Sequence, residues 1–145
     1  MAATFKVSVL TPERGVLDSE VVHLYARGSL GYLGVLAHHA PLLTSLEPGL
    51  LSLRFPDGGQ RHFAVSGGFL EVSENRATVL ADAAEAADEI DVARAEEAAR
   101  RARERLALPR HGPHDEPEID LERALAAAER AAARLAVFKD YGTGA

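Results

Sequence analysis

The apolar residues of this chain repeat with one period up to about residue 84 and with another beyond it, and that change limits the possible folds more than any single motif does. Before it, the runs "FKVSVL", "VVHLYAR", "GLLSLRF", "RHFAVSG", "FLEVS" and "RATVLAD" alternate or are rich in β-branched residues, with turn residues between them. A period of two sends successive side chains to opposite faces, so each run can bury one face and wet the other. Six such runs at close spacing predict an antiparallel β-sandwich or barrel with a small core of its own. "FPDGGQ", residues 55–60, sets Pro, Asp and two glycines between two runs and reads as a hairpin turn. Ser73 to Asn75 reads as a second tight link.

After residue 84 the period is helical. Asp91 is placed to cap a helix over about 92–106, whose acidic residues come early (Asp88, Glu89, Asp91, Glu96, Glu97) and whose arginines come late (Arg100, Arg101, Arg103, Arg105). That polarity suits the helix macrodipole. "LPRHGPHDEPEID" then interrupts with three prolines and a glycine, and a second helix is expected from Asp120 or Leu121 to Phe138, again capped by Asp. The predicted class is α+β: an N-terminal antiparallel β-sandwich over 1–84, followed over 85–145 by an antiparallel two-helix hairpin with a linker at about 107–119. The inward stripe is expected to be Val92, Ala95, Ala99, Ala102 and Leu106 facing Leu121, Leu125, Ala128, Ala132 and Leu135. Most of these are alanines, which remove little apolar area from water, so the hairpin is expected to be only lightly held.

Composition excludes several classes of function. No apolar run approaches the roughly 18 residues of a membrane span, and "MAATFKVSVL" has no basic region ahead of an apolar core, so neither membrane insertion nor a signal peptide is expected. With no cysteine there is no disulfide framework and no thiolate chemistry. A net charge of −6 argues against nucleic acid as partner. A cytoplasmic address is the default expectation.

The catalytic inventory is thin. The chain has neither a G-x-x-x-x-G-K-[ST] loop nor a G-x-G-x-x-G after a strand, and Gly31/Gly34, Gly58/Gly59 and Gly67/Gly68 stand where turns of a β domain need them. His38 and His39 are adjacent, so on extended chain they point to opposite sides and do not form a metal site; none is expected. His111 and His114 fall in the linker, and Ser66 lacks the G-x-S-x-G of a nucleophile elbow. No catalytic residue is expected.

Two small constellations remain. Glu85 and Asp91 flank the start of the first helix, with Arg94 three residues into it, while Arg130 and Arg134 are four apart and share one face of the second helix. An antiparallel hairpin would bring Arg94, Arg130 and Arg134 into one neighbourhood, three planar forks suited to phosphate oxygens. The same residues also allow a plainer arrangement, with Asp91 as a cap and the arginines solvated or paired with Glu97, Glu129 and Asp140.

Four segments carry a resemblance: "VSVLTPERGVLDSEV", "GSLGYLGVLAHHAPLLTSLEPGLL" (28–51), "AVSGGFLEVSENRATVLADAAE" (64–85) and "IDVARAEEA" (90–98). Together they resemble the epsilon subunit of the bacterial F-type ATP synthase over essentially the whole chain, the central two being the most specific. One departure is Ala37-His38 ahead of His39, where the family commonly has Pro-Gly.

The resemblance implies a non-catalytic rotor subunit at the foot of the central stalk, its sandwich docked on the gamma subunit and the ring of c subunits, peripheral to the cytoplasmic face of the inner membrane. The c-ring and gamma contact would fall on Ser29, Leu30, Gly31, Tyr32 and Leu33, with His39 close by. The hairpin would be regulatory, folded down on the sandwich or extended toward the catalytic alpha and beta subunits to block hydrolysis. In the extended form Arg123, Arg130, Arg134 and Lys139 would offer a basic face. No cofactor is required. Some members bind ATP through an Ile/Leu-Asp-x-x-Arg-Ala motif, matched by Ile90, Asp91, Arg94 and Ala95, with Glu85, Arg130 and Arg134 in support. A free-standing ATP-sensing module is the alternative from another class, and a small hydrolase a third reading that lacks a placed general base or phosphate cradle.

Overall fold

The computed structural model describes residues 2–108 and 118–143, the side chains of 118–120 excepted. Nine strands occur among them: β1 (Phe5–Leu10), β2 (Gly15–Val21), β3 (His23–Gly28), β4 (Gly31–Val35), β5 (Leu42–Arg54), β6 (Gln60–Val65), β7 (Gly68–Ser73), β8 (Arg76–Ala81) and β9 (Ala84–Ala86). A 3₁₀ turn (Ala87–Glu89) leads into α1 (Val92–Ala107), and α2 (Glu118–Tyr141) follows. The strands form one hydrogen-bonded sheet in the order β2-β1-β8-β7-β5-β3-β4, with β6 on β5 and β9 on β6. Every pairing is antiparallel except β1 with β8, which is parallel.

β5 makes this sheet a sandwich. Its first half pairs β7 through Leu42–Leu46, and its second half pairs β6 through Gly49–Arg54. Between them lies Pro48, which has no N–H to give to a ladder and marks the bend where the strand passes from one layer to the other. The layers close on a core that includes Val7, Val9, Val21, Leu24, Val35, Leu51, Leu53, Phe63, Leu70 and Val79, each less than 2% exposed. Burying each such side chain contributes about 1.5 to 3 kcal/mol. The strands expected from the sequence are all present, but β2, β4, β9 and the first half of β5 were not among them.

Both expected tight turns form. Phe55 N–H donates to Gly59 O at 2.8 Å and closes the β5–β6 hairpin. Glu74 (φ 51°) and Asn75 (φ 59°) join β7 to β8 with both central residues left-handed, the geometry that matches strand twist. Gly68 (φ +134°) is obligatory, because a Cβ there would lie 2.0 Å from Leu80 O.

Asp91 caps α1 as expected, its carboxylate accepting the Arg94 backbone N–H at 3.0 Å. On the outer face Arg100 bridges Glu97 and Glu104, and its hydrogen bond holds the Glu97 carboxyl below the usual range. The helices are antiparallel: Ile90, at the start of α1, and Val137, near the end of α2, share one apolar cluster with Ala64 and Ala87, against which Leu50 and Phe138 pack. Of the expected stripe on α1, Ala95 and Ala102 are fully buried and Val92, Ala99 and Leu106 are partly so.

On α2 the expected phase is corrected. Leu125 is 47% exposed and Ala132 faces solvent, while Ala124 and Ala131 are buried. Val137 and Phe138 set this rotation by seating on the sandwich, and the face that carries them runs back through Ala131 and Ala124. The helix also extends beyond the expected span, from Glu118 to Tyr141. The linker histidines His111 and His114 lie outside the described residues.

Candidate functional site

The residues expected to hold nucleotide lie at the seam between sandwich and hairpin. β9 presents Glu85, and α2 presents Arg134, whose side chain is 15% exposed. Arg134 Nη2 donates to Glu85 Oε2 at 3.0 Å. Arg134 Nε lies 2.8 Å from Oε1 but is not aligned to donate, so that second contact is coulombic only. Among the described residues this is the one ion pair joining the sandwich to a helix. Asp91 is occupied in capping α1, and Ile90 (5% exposed) and Ala95 (0%) are packed away. Arg94 and Arg130 are exposed and form no ion pair with a described residue. The structure thus brings Glu85 and Arg134 together and leaves two guanidiniums free at the surface. Glu85 is a partner of Arg134 that spacing along the helix did not suggest. Arg123 and Lys139 are exposed, whereas Arg134, expected on the same basic face once the hairpin extends, is turned inward in this docked form.

The segment expected to meet the rotor is a protruding turn between β3 and β4. Leu30 at its tip is fully exposed, Ser29 is exposed, and Gly31 takes φ 121°. Tyr32 stacks on Tyr25 with ring centroids 4.8 Å apart, while Leu33 packs against the core. His39 is partly buried, its Nδ1 2.6 Å from Ala40 O. His38 holds a left-handed backbone (φ 62°), and its N–H donates to Asn75 Oδ1 at 2.8 Å. No group of three or more metal-ligating side chains occurs among the described residues.

Sequence reasoning missed a second surface. On the outer face of the β1-β8-β7-β5 layer, Leu10 stands opposite Leu80, Leu80 opposite Phe69, and Phe69 opposite Ser45, with Leu43 diagonal to it. Leu43 is 72% exposed, Phe69 55%, Leu80 49% and Leu10 38%. An apolar row this continuous is the mark of an interaction surface. The helices lie elsewhere, α2 covering β5 and β6 of the other layer. There a cleft of about 360 Å³ opens between α2 and the sheet, lined by Arg27, Tyr32, Leu50, Ala133, Asp140 and Tyr141, none of which was expected to hold nucleotide.

Comparison with known proteins accounts for this arrangement. Residues 4–87 match the family model described as "ATP synthase, Delta/Epsilon chain, beta-sandwich domain". The "ATP synthase epsilon chain" of Pelotomaculum thermopropionicum is 52% identical over 104 residues, 72% of this chain and 77% of that one. That of Geotalea uraniireducens is 47% identical over 116 residues, 80% of this chain and 82% of that one. A chain in the structure of Euglena gracilis mitochondrial ATP synthase, OSCP/F1/c-ring, shares the fold with a TM-score of 0.79 at 23% identity, over 94% of this chain and 82% of its own. No described helix is long and apolar enough to cross a membrane. With the family model spanning the sandwich and relatives near 50% identity reaching into the hairpin, the chain belongs to the epsilon family of ATP synthase subunits, a non-catalytic part of that complex.

Proposed function

We propose that this chain sits at the foot of the central stalk on the cytoplasmic face of the inner membrane, held by the gamma subunit and the c-ring. When its hairpin leaves the sandwich it reaches the catalytic alpha and beta subunits and inhibits ATP hydrolysis. The observation that carries this reading is the division of labour between the two sandwich faces. One bears the open apolar row Leu10, Leu80, Phe69 and Leu43, while the other is covered by a hairpin packed largely through alanines. A free-standing ATP sensor has no use for that row. Tagged protein purified from its own cells is expected to bring down gamma and catalytic subunits; recovery of the chain alone refutes the reading.

ATP enters this proposal as a regulatory ligand, bound to the docked hairpin and not hydrolysed. Arg94 and Arg130 are exposed and available to phosphate oxygens, and Arg134 would join them by exchanging its Glu85 partner for phosphate. Ile90 and Ala95 are packed against apolar neighbours, so adenine has to open the seam to reach them. Asp91 keeps its cap. Calorimetry on the isolated chain is expected to show heat at about millimolar ATP, the weak end of specific binding, and to lose it in an Arg94→Ala, Arg130→Ala double variant. No heat, or heat unchanged by the double variant, refutes nucleotide binding here.

A further inference from the structure

We propose that the last turn of α2 is fastened to the sandwich by a pH-gated clasp, in which His62 of β6, covered by the Tyr141 ring and held by the Ser52 hydroxyl, keeps the hairpin docked while neutral and releases it when protonated. This rests on the reading of the hairpin as an element that leaves the sandwich. The His62 and Tyr141 rings are stacked, centroids 3.8 Å apart and planes 14° apart. Ser52 stands directly opposite His62 in the β5–β6 ladder, its Oγ 2.7 Å from Nδ1. Tyr141 is the last residue of α2, and behind it Gly142 N–H closes the helix on Phe138 O at 2.7 Å. The clasp therefore acts on a turn already anchored by the apolar contacts of Val137 and Phe138, which do not titrate, while the Arg134–Glu85 pair holds α2 two turns further back.

The charged and titratable groups on the elements packed around His62 are few. The last turn of α2 carries Lys139, Asp140 and Tyr141, with Arg134 two turns back; β5 carries Arg54 next along the face of Ser52, and β3 carries Tyr25 opposite Ser52; β6 itself carries Arg61; β9 carries Glu85, opposite Ala64 and bound to Arg134; and the 3₁₀ turn beside β6 carries Asp88 and Glu89. None of these carboxylates forms an ion pair with His62. Protonation leaves the Ser52 hydrogen bond intact, because a hydroxyl accepts as readily as it donates. It places a cation under an aromatic ring with no anionic partner. The ring face attracts that cation, while the loss of water opposes it, and burial pushes the His62 imidazole below its ordinary 6.5. The departure of Tyr141 removes part of that burial and lets the imidazole rise toward its ordinary value. Docking is thus fully supported above about pH 6.5, weakens as pH falls through that value, and levels off below the docked pKa.

The test uses the full chain, which has no native cysteine to confuse labelling. Fluorophores on an Asp57→Cys, Glu122→Cys pair report the distance between the β5–β6 turn and α2, and histidine NMR reports the titration of His62, identified as the signal missing from His62→Phe. Between about pH 8 and pH 5.5 the undocked fraction is expected to rise at least about threefold. His62→Phe, which keeps a stacking ring without a titrating nitrogen, should abolish that rise. Tyr141→Ala, on an exposed residue that cannot disturb the core, should raise the His62 titration toward its ordinary value and serves equally if His62→Phe does not fold. Docking that ignores pH, an unchanged response in His62→Phe, or a His62 that titrates at or above its ordinary value overturns the clasp. Hydrolysis by the assembled complex separates the two ideas: if removing the hairpin leaves it unchanged while His62 still controls docking, the inhibitory reading fails and the clasp stands.

Discussion

His38 shows what one residue can carry. Its left-handed backbone costs an L side chain about 1 kcal/mol or more, and the donation to Asn75 Oδ1 holds it there. The sequence flags this position, since the resemblance places glycine where this chain has histidine. His38→Gly is expected to stabilise the sandwich by about 0.5 to 1 kcal/mol, the relief of strain exceeding the added freedom of the unfolded chain. Urea denaturation followed by circular dichroism measures it; destabilisation would show that the His38 side chain has a role beyond the backbone. Local chemistry of this kind is legible in a sequence. Asp91 and Arg94 are three residues apart, and their cap follows from that spacing alone. The partner of Arg134 was not legible, because Glu85 is brought to it only by the meeting of β9 with α2. The row Leu10, Leu80, Phe69 and Leu43 escaped notice because each strand gives it one apolar residue on an outer face that otherwise carries Lys6, Ser8, Glu71, Arg76 and Thr78, so the row exists only once the strands are paired.

At the scale of elements the sequence revealed those strands whose two faces differ in polarity or whose turns are marked. β2 was not expected because its GVLDSEV carries two acidic residues and a serine and buries only Val21 fully, β4 is two-fifths glycine, and β9 is three residues long. Pro48-Gly49 reads as a break, yet β5 bends there and continues. The period of α2 was read correctly and its rotation was not, since seating on the sandwich rather than propensity decides which of several alanine stripes turns inward. At the helix contact Ala102 is 2% exposed, so a longer side chain has nowhere to go. Ala102→Leu is expected to weaken hairpin docking by about 1 to 3 kcal/mol through overpacking, while leaving sandwich unfolding unchanged. Hydrogen exchange resolved by segment checks both halves of that statement; faster exchange in the strands as well would mean that the two parts unfold as one.

For the whole molecule, the sandwich core is complete without the hairpin, since its buried residues all come from β1 to β9. Deleting residues 109–145 should therefore leave a folded chain that still joins the rotor, and should raise ATP hydrolysis by the assembled complex. Inhibition by the intact chain should weaken with added salt, because the exposed Arg123, Arg130 and Lys139 act through charge that salt screens within about 10 Å at 0.1 M. An unchanged hydrolysis rate on deletion would make the hairpin merely structural. The 13-residue β5 adds a mechanical consequence. It is one covalent chain through both layers, carrying Leu43 on the open apolar row at one end and Leu50 beneath the helices at the other. Twisting stress that enters at the row travels along peptide bonds rather than across a hydrogen-bonded seam, so the body behaves as a stiff crank, and the layer beneath the helices turns with the face that is gripped.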